Sequence, residues 1–382
     1  MQTEFKTSER STIGVEWEFG LIEAETGKLS SSAPQVLAEL SESGHGKEDV
    51  ETKAHITNEF LQNTIECVTG VHHEVAQLSD ELRDLVHRAR KVTDDLGIEL
   101  FCQGTHPFED ASSQPVTEGE RYATLVERTQ YWGRQMLIYG VHVHVGLDHV
   151  NKAMPVLDGL LNHMPDFLAL SASSPFWSGL ATGYASQRAL VFQQLPTAGL
   201  PFQFPDWSGF ENCVADMHKT GVIESVTEVR WDIRPVPRYG TIEMRVCDGM
   251  DSLAEVEAMT ALTQCLVDDF SARLDTGEQI PTMQPWHIQE NKWRAARYGL
   301  DAEIIYDAAG TERLVTDHLE ETLNRLEPVA ARLNCAAELA KVEDILRHGP
   351  GYKRQEKWAA ESGGDLATVV LNSARRTRES TR

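Results

Sequence analysis

The amino-acid sequence predicts an α+β fold in which an antiparallel sheet packs helices on one face and turns its other face toward a polar cavity. Three observations point there. Short stretches alternate large apolar residues with Glu, His or Arg; longer stretches repeat apolar residues at three and four; and the two kinds do not follow the strand–helix–strand rhythm of a parallel sheet.

In chain order, "IGVEWEFGL" comes first. Val15, Trp17 and Phe19 alternate with Glu16 and Glu18, so a strand buries three large side chains and aims both carboxylates the other way. The two carboxylates stand roughly 7 Å apart along the strand, which water tolerates and a cavity answers with a cation. "NEFLQNTIECVTG" adds Glu59 and Glu66, the latter between Ile65 and Cys67. "HEVAQLSDELRDLVHRARKVTDDLG" then reads as an amphipathic helix, with Val75, Leu78, Leu82, Leu85, Val86 and Ala89 in one stripe and Gly97 placed to end it. Similar helical patterns span 120–138, 150–170, 253–274 and 311–347.

"YGVHVHVGL" alternates Val141, Val143 and Val145 with His142 and His144, so a strand presents both imidazoles on one face. The passage "SSPFWSGLATGYASQRALVFQQLPTAGLPFQFPDW" is too apolar for a linker and too punctuated by Gly and Pro for one helix, and reads as an ordered loop system containing Arg188. In "TIEMRVCDG" Ile242, Met244 and Val246 face one side while Glu243 and Arg245 face the other. Just upstream, "VRWDIRPVPRYG" contributes Arg230, Arg234 and Arg238. After about Gly349 the chain is expected to be partly flexible, with "ARRTRES" fraying, which divides it into a catalytic domain, 1–349, and a C-terminal segment, 350–382.

Each of these strands, alone, is an ordinary solvated sheet face, and each Arg an ordinary surface charge. Their repetition changes the weighing, because several strands with an apolar face and a carboxylate or imidazole face describe one polar cavity. Oxygen donors with occasional imidazole suit Mg²⁺ or Mn²⁺ better than structural zinc. Guanidiniums beside them fit phosphoryl transfer. No GxxxxGK[ST], GxGxxG or GxSxG motif occurs at a strand-to-helix turn, so a bound nucleotide would be held through metal and Arg.

Composition narrows the partners. The 59 acidic residues against 35 basic ones give a net charge of −24, which repels nucleic acid and excludes a generic phosphate-backbone binder. Six scattered cysteines without a CxxC pair argue for buried thiols in a reducing compartment, and no apolar run is long enough for a membrane helix. A cytoplasmic protein is the expectation.

Taken together, "GVEWEFGL", "FLQNTIE", "GTHPF", "YGVHVHVG", "LSASSPFW", "FQQLPTAGLP", "GTIEMRVCD", "NKWRAARYGLDA" and "GGDLATVV" resemble the carboxylate-amine ligase family, also called type 2 glutamate-cysteine ligase, in the glutamine synthetase superfamily. The resemblance runs over nearly the whole chain. It implies a curved antiparallel sheet with helices on its outer face and paired metal sites on its concave face, with ATP entering at one end and the amino acid at the other. By this similarity His142 is a metal ligand with Glu16 and Glu243, while Glu18, Glu59 and Glu66 hold the other ion or ions. His144 approaches nucleotide or phosphate. Arg245 resembles the arginine that meets the transferring phosphate or the substrate carboxylate, Arg234 its companion, also on the nucleotide side, and Arg188 a third of this kind. Ala181 stands where many members have Asp.

The implied reaction is ATP-dependent: the γ-carboxylate of glutamate forms an acyl phosphate, and an amine, that of cysteine or another acceptor, displaces phosphate. The partners are then small molecules, and the superfamily's habit of assembly leaves a homo-oligomer open. Two other readings stand beside it: a metal-dependent hydrolase built on His-x-His, and a protein that binds nucleotide or amino acid without ligase turnover.

Overall fold

The structure, a computed structural model, describes residues 3–42 and 53–382. Strand alternation builds its main sheet. β1 (Ile13–Glu23) is the spine: residues 16–20 pair with β3 (Thr64–Val68) along one edge. Along the other edge residues 13–17 pair with β5 (Val141–Gly146) and residues 20–23 with β4 (Ile98–Phe101). β2 (His55–Asn58) extends the sheet beyond β3, and β7 (Thr241–Met244) then β6 (Ile233–Val236) extend it beyond β5. Every pairing is antiparallel, and the seven strands form an open sheet in the order β6-β7-β5-β1-β3-β2, with β4 off that path.

The helices that matter here are α1 (Val75–Thr93), α2 (Glu120–Thr129), α3 (Ala153–Ser171), α4 (Gln187–Phe192), α5 (Leu253–Asp275), α6 (Val315–Arg332), α7 (Ala336–His348), α8 (Gly351–Glu361) and α9 (Leu366–Ser380). Val15, Trp17 and Phe19 of β1, Val141, Val143 and Val145 of β5, and Ile242 and Met244 of β7 are fully buried against α1, α3 and α5. Each such side chain contributes roughly 1.5–3 kcal/mol by leaving water. The indole N–H of Trp17 is not left bare: it donates to the carbonyl of Met250 at 3.2 Å and to Cys102 Sγ at 3.0 Å. With one face committed to this core, the register fixes which side chains the other face presents.

Two helical stretches differ from the sequence expectation. The pattern over 120–138 yields a helix that stops at Thr129, because Gln130 takes a φ of 48°, and Ile138 then bridges to Thr105 as extended chain. The pattern over 311–347 yields α6 and α7, broken at Asn334 with a φ of 55°, a left-handed conformation that Asn tolerates better than most residues.

Residues 350–382, expected from sequence to be partly flexible, fold as α8 and α9. α9 buries Val369, Val370, Ser373, Ala374 and Thr377, and Arg378 pairs with Asp94 and Glu99. Gln355 of α8 donates to Gln103 Oε1 at 3.0 Å and to the carbonyl of Ser173. Beyond Val369 and Val370 the buried stripe of α9 continues as Ser373, Ala374 and Thr377, small or hydroxyl-bearing residues, which is why apolar periodicity alone did not reveal it.

All six cysteines are free thiols and five are buried. No helix among the described residues is long and apolar enough to cross a membrane. The packing of α9 predicts that Val369→Asp, which buries an unpaired carboxylate, lowers the unfolding free energy read from a urea titration by several kcal/mol, whereas Arg375→Ala on its exposed side changes it by about 0.5 kcal/mol or less.

Candidate active site

Register brings the sequence-predicted residues together. Glu16 of β1 lies opposite His142 of β5, Glu18 opposite Glu66 of β3, and Glu243 of β7 opposite both His144 of β5 and Arg234 of β6. Directly opposed side chains on one face stand about 5 Å apart, so the polar face becomes a row of acids and imidazoles. Glu59, on the turn between β2 and β3, completes the row at one end.

Three donor groups result: Glu18, Glu59 and Glu66; Glu16, Glu66 and His142; and Glu16, His144 and Glu243. Within each, one donor atom per residue lies within 4.8 Å of the others. Because Glu66 and Glu16 each belong to two groups, the three adjoin. Sequence similarity assigned His142 to the ion of Glu16 and Glu243; in the structure His142 Nδ1 lies 2.9 Å from Glu16 and 4.0 Å from Glu243, and His144 Nε2 lies 3.3 Å from Glu16 and 3.9 Å from Glu243, so both imidazoles stand beside both acids, with Glu66 also near His142.

The electrostatics divide the row. At one end burial and like charge act together: Glu18 is pushed up to about 8 by burial and by Glu59. Glu66 is raised well above its ordinary range by burial and by Glu16, Glu59 and Glu18, and Glu59 is raised chiefly by burial. At the other end burial is outweighed: Arg234 and Arg245 hold Glu243 below the usual carboxylate range, and His142 and His144 do the same for Glu16. Burial and Arg245 bring His142 down to about 4. His142 is therefore neutral near pH 7, and since Nδ1 donates to Glu16 Oε2 at 2.9 Å, the lone pair resides on Nε2, which is buried without a partner. An orphaned imidazole nitrogen among oxygen donors fits a hard divalent cation.

The arginines lie beside the acids. Glu243, with no exposed surface, accepts from Arg234 Nε at 2.6 Å and from Arg245 Nη1. Arg188 of α4 donates to the carbonyls of Arg245 and Val246 at 3.3–3.4 Å. The Nε atoms of Arg188 and Arg245 are buried without a protein acceptor, which suits an anionic ligand. A β-carbon at Gly140 would stand 2.3 Å from Arg188 Nη2 and 3.0 Å from His142 Nε2, so only glycine admits this approach. Asp248 accepts from Ser174 Oγ and Ser186 Oγ at 2.6 and 2.8 Å, and Ser174 Oγ accepts from the backbone N–H of Arg188, which anchors α4.

Two cavities meet on this face. One, of about 300 Å³, holds Glu18, Glu59, Glu66, His142, Arg188, Arg234 and Arg245, with Phe60, Tyr122, Phe192 and Leu195 on its wall. The other, of about 350 Å³ and more apolar, runs past Ile13, Gly14, Val68, Val71, His144 and Tyr239, and Glu16 lines both. Sequence reasoning missed Arg121, Tyr122 and Asp248. The first two sit on an amphipathic helix with no motif, and the third stands in "VCDG" without a recognisable partner.

The model of glutamate-cysteine ligase family 2 matches residues 12–372. The chain belongs to that family. Among its relatives, a protein of Arthrobacter sp. (strain FB24) provisionally named glutamate–cysteine ligase 2-1 is 60% identical over 378 residues, 99% of each chain. One of Paenarthrobacter aurescens (strain TC1), provisionally named glutamate–cysteine ligase 2-2, is 57% identical over 379 residues, again 99% of each. As a family member the chain is an ATP-dependent carboxylate–amine ligase. Neither the hydrolase nor the non-turnover reading finds support in these relatives. The fold is that of glutamine synthetase-like ligases. A Francisella tularensis glutamate–cysteine ligase in complex with AMP superposes with a TM-score of 0.63 at 15% identity, covering 99% of this chain and 90% of that one. A bifunctional glutathione synthetase from Pasteurella multocida gives 0.67 at 14%, covering 97% and 52%.

From sequence alternation alone, Glu243→Gln would leave the fold untouched. The buried carboxylate between two guanidiniums predicts otherwise: Glu243→Gln should cost about 3–5 kcal/mol of stability in a urea titration, because two charges lose their counter-charge.

Proposed function

We propose that this ligase joins the γ-carboxylate of glutamate to the amine of cysteine through an acyl phosphate. The observation that carries the reading is the meeting of two cavities at Glu16, one rich in acids and guanidiniums, the other apolar enough for a nucleoside. In this reading the base and ribose lie along Ile13, Val71 and Tyr239, and the phosphates reach toward His144. Glutamate occupies the other cavity, its γ-carboxylate facing Arg245, Arg234 and Arg188.

Mg²⁺ or Mn²⁺ would be held by Glu16, Glu18, Glu59, Glu66, His142 and Glu243, with His144 within reach of the same donors. When bound, such ions neutralise charge that gathers on the transferring phosphoryl oxygens. The chain's own residues do the rest. Arg245 and Arg188 present N–H groups to the phosphoryl oxygens, and Glu243 keeps the Arg245 fork oriented. A glutamate oxygen attacks the γ-phosphorus and ADP leaves; the amine then attacks the acyl carbon, the bond to phosphate breaks, and the nitrogen gives up a proton. The aromatic and aliphatic wall around Phe60, Tyr122 and Phe192 keeps water from the acyl phosphate.

The test is an incubation of the protein with ATP, Mg²⁺, glutamate and cysteine. One ADP per γ-glutamylcysteine, identified by mass, is the expected result, and absence of product with every amino-acid pair would remove the reading.

A second prediction concerns pH. A carboxyl whose folded pKa is raised stabilises the protein below its unfolded value, and that stability is lost as pH rises through the folded value. For Glu18 the window runs from 4.5 to about 8. The metal-free protein should therefore melt at a lower temperature at pH 8 than at pH 6, and millimolar Mn²⁺ should raise the melting temperature more at pH 8. An equal rise at both would detach the carboxylate row from cation binding.

A further inference from the structure

Beyond the glutamate cavity lies another of about 350 Å³, and the two share Arg121, Leu125, Thr227 and Arg230 at their junction. Its walls are α2, which buries none of its residues, and the segment 222–230. Arg128 fastens one wall to the other, donating from Nη2 to the carbonyl of Val222 at 2.7 Å and from Nη1 to Glu228 Oε2 at 3.3 Å. Glu228 is fully engaged, since its other oxygen accepts from the backbone N–H groups of Glu224 and Ser225 at 2.8 and 3.2 Å.

The two arginines at the junction are not so occupied. Arg230 bonds only through Nη1, to the carbonyl of Glu228 at 3.1 Å and to Thr197 Oγ1 at 3.5 Å, which leaves Nε and Nη2 without a hydrogen-bond partner among the described residues. The Arg121 side chain makes no hydrogen bond or ion pair among the described residues and stacks only over its neighbour Tyr122, at 5.8 Å. Burial, and then crowding by Arg121, Arg245 and Arg234, brings the Arg230 guanidinium down to about 10. The junction thus concentrates positive charge in a chain of net charge −24. Glu120 and Glu224, both exposed, line only the outer cavity.

We propose that the outer cavity is the site of the amine acceptor, that Arg121 and Arg230 bind its carboxylate, and that the acceptor is an α-amino acid whose side chain is not acidic. The proposal rests on the reaction given above and adds the residues that choose its second substrate. Glutamate, activated at the metal end, fills the inner cavity, so the attacking amine must arrive from the solvent side through this junction. A carboxylate gripped there stands one carbon away from an α-amine, which places the nitrogen toward the acyl carbon and the side chain outward. Outside it meets Leu125, Pro196 and Val222, then Glu120 and Glu224, which repel a second carboxylate.

The experiment compares L-cysteine with cysteamine, which lacks the carboxylate, using wild type, Arg230→Gln and Arg121→Gln at saturating ATP and glutamate. Since Arg230 is partly buried, the exposed Arg121 supplies a variant whose folding is not at issue. Loss of a charge-assisted bond should raise KM for cysteine about 10- to 100-fold in each variant, with kcat/KM for cysteamine changed by less than about 2-fold. L-aspartate should be a poor acceptor that improves with Glu224→Gln. Equal losses with both amines would overturn the proposal, as would a rise in KM for glutamate with that for cysteine unchanged. Calorimetric titration of cysteine in the presence of glutamate and a non-hydrolysable ATP analogue separates this site from the chemistry. Binding that weakens in both variants supports the site whether or not turnover occurs, and binding that does not change removes it.

Discussion

The carboxylate of Glu243 is the interaction on which the polar face depends. It has no exposed surface, and a lone buried carboxylate would cost several kcal/mol or take up a proton. Two guanidiniums hold it ionised, Arg234 from the neighbouring strand and Arg245 from two residues along its own. Each arginine is itself fixed. Arg234 Nη1 donates to the carbonyls of Val229 and Thr227, and the backbone N–H of Arg245 donates to Asp232, whose side chain pairs with buried Lys292 at 2.6 Å. One carboxylate thereby ties the β6–β7 hairpin to the segment that walls the outer cavity, and sets where the Arg245 fork points.

From Glu243 the charge environment grades across the sheet. Guanidiniums outweigh burial for Glu243, and hydrogen bonds from His142 and His144 do so for Glu16, so these two are carboxylates even without an ion. Farther along, Glu18 and Glu59 each accept one backbone N–H, from Gly140 and Phe60, but like-charged neighbours and burial outweigh these and the distant arginines, and the protonated forms of Glu18, Glu59 and Glu66 are favoured. The first end is organised by the protein alone, and the second is the one whose charge most needs a cation. A metal arriving at the second end releases protons there while leaving the hydrogen bonds around Glu243 in place.

Much of this was legible in the sequence because a strand has period two. Once Trp17, Val143 and Met244 were read as buried, Glu16, Glu18, His142, His144, Glu243 and Arg245 had to share the opposite face, and the register brings them together. Alternation along one strand does not say which residue of the next strand lies opposite, and so the partnering of Glu243 with His144 required coordinates. The breaks at Gln130 and Asn334 were hidden for a related reason, since apolar spacing continues through both while the backbone leaves the helix. Arg121 gave no signal, and Arg230 stood out only as one of a cluster of arginines, because an arginine on an amphipathic helix, or beside a short strand, looks the same whether it faces bulk water or a cavity.

The two kinds of surface suit two tolerances. Phosphoryl transfer needs donors fixed to a fraction of an ångström, and Glu16, Glu18, Glu66, His142, His144, Arg234 and Glu243 stand on paired strands backed by α1, α3 and α5, where each neighbour resists displacement. Recognition of an acceptor amino acid tolerates more movement, and the wall of the proposed acceptor cavity is α2, a helix with no buried residue, held by contact of Tyr122 with Phe60, by Leu125 packed on the cluster of Met136, Val191 and Leu195, and by the clasp of Arg128. Phe60 adjoins Glu59, whose carboxylate accepts from the Phe60 backbone N–H at 3.1 Å. A movement of α2 would reach the acid end of the row through Tyr122, Phe60 and Glu59, which would couple the proposed acceptor wall to the proposed cation site.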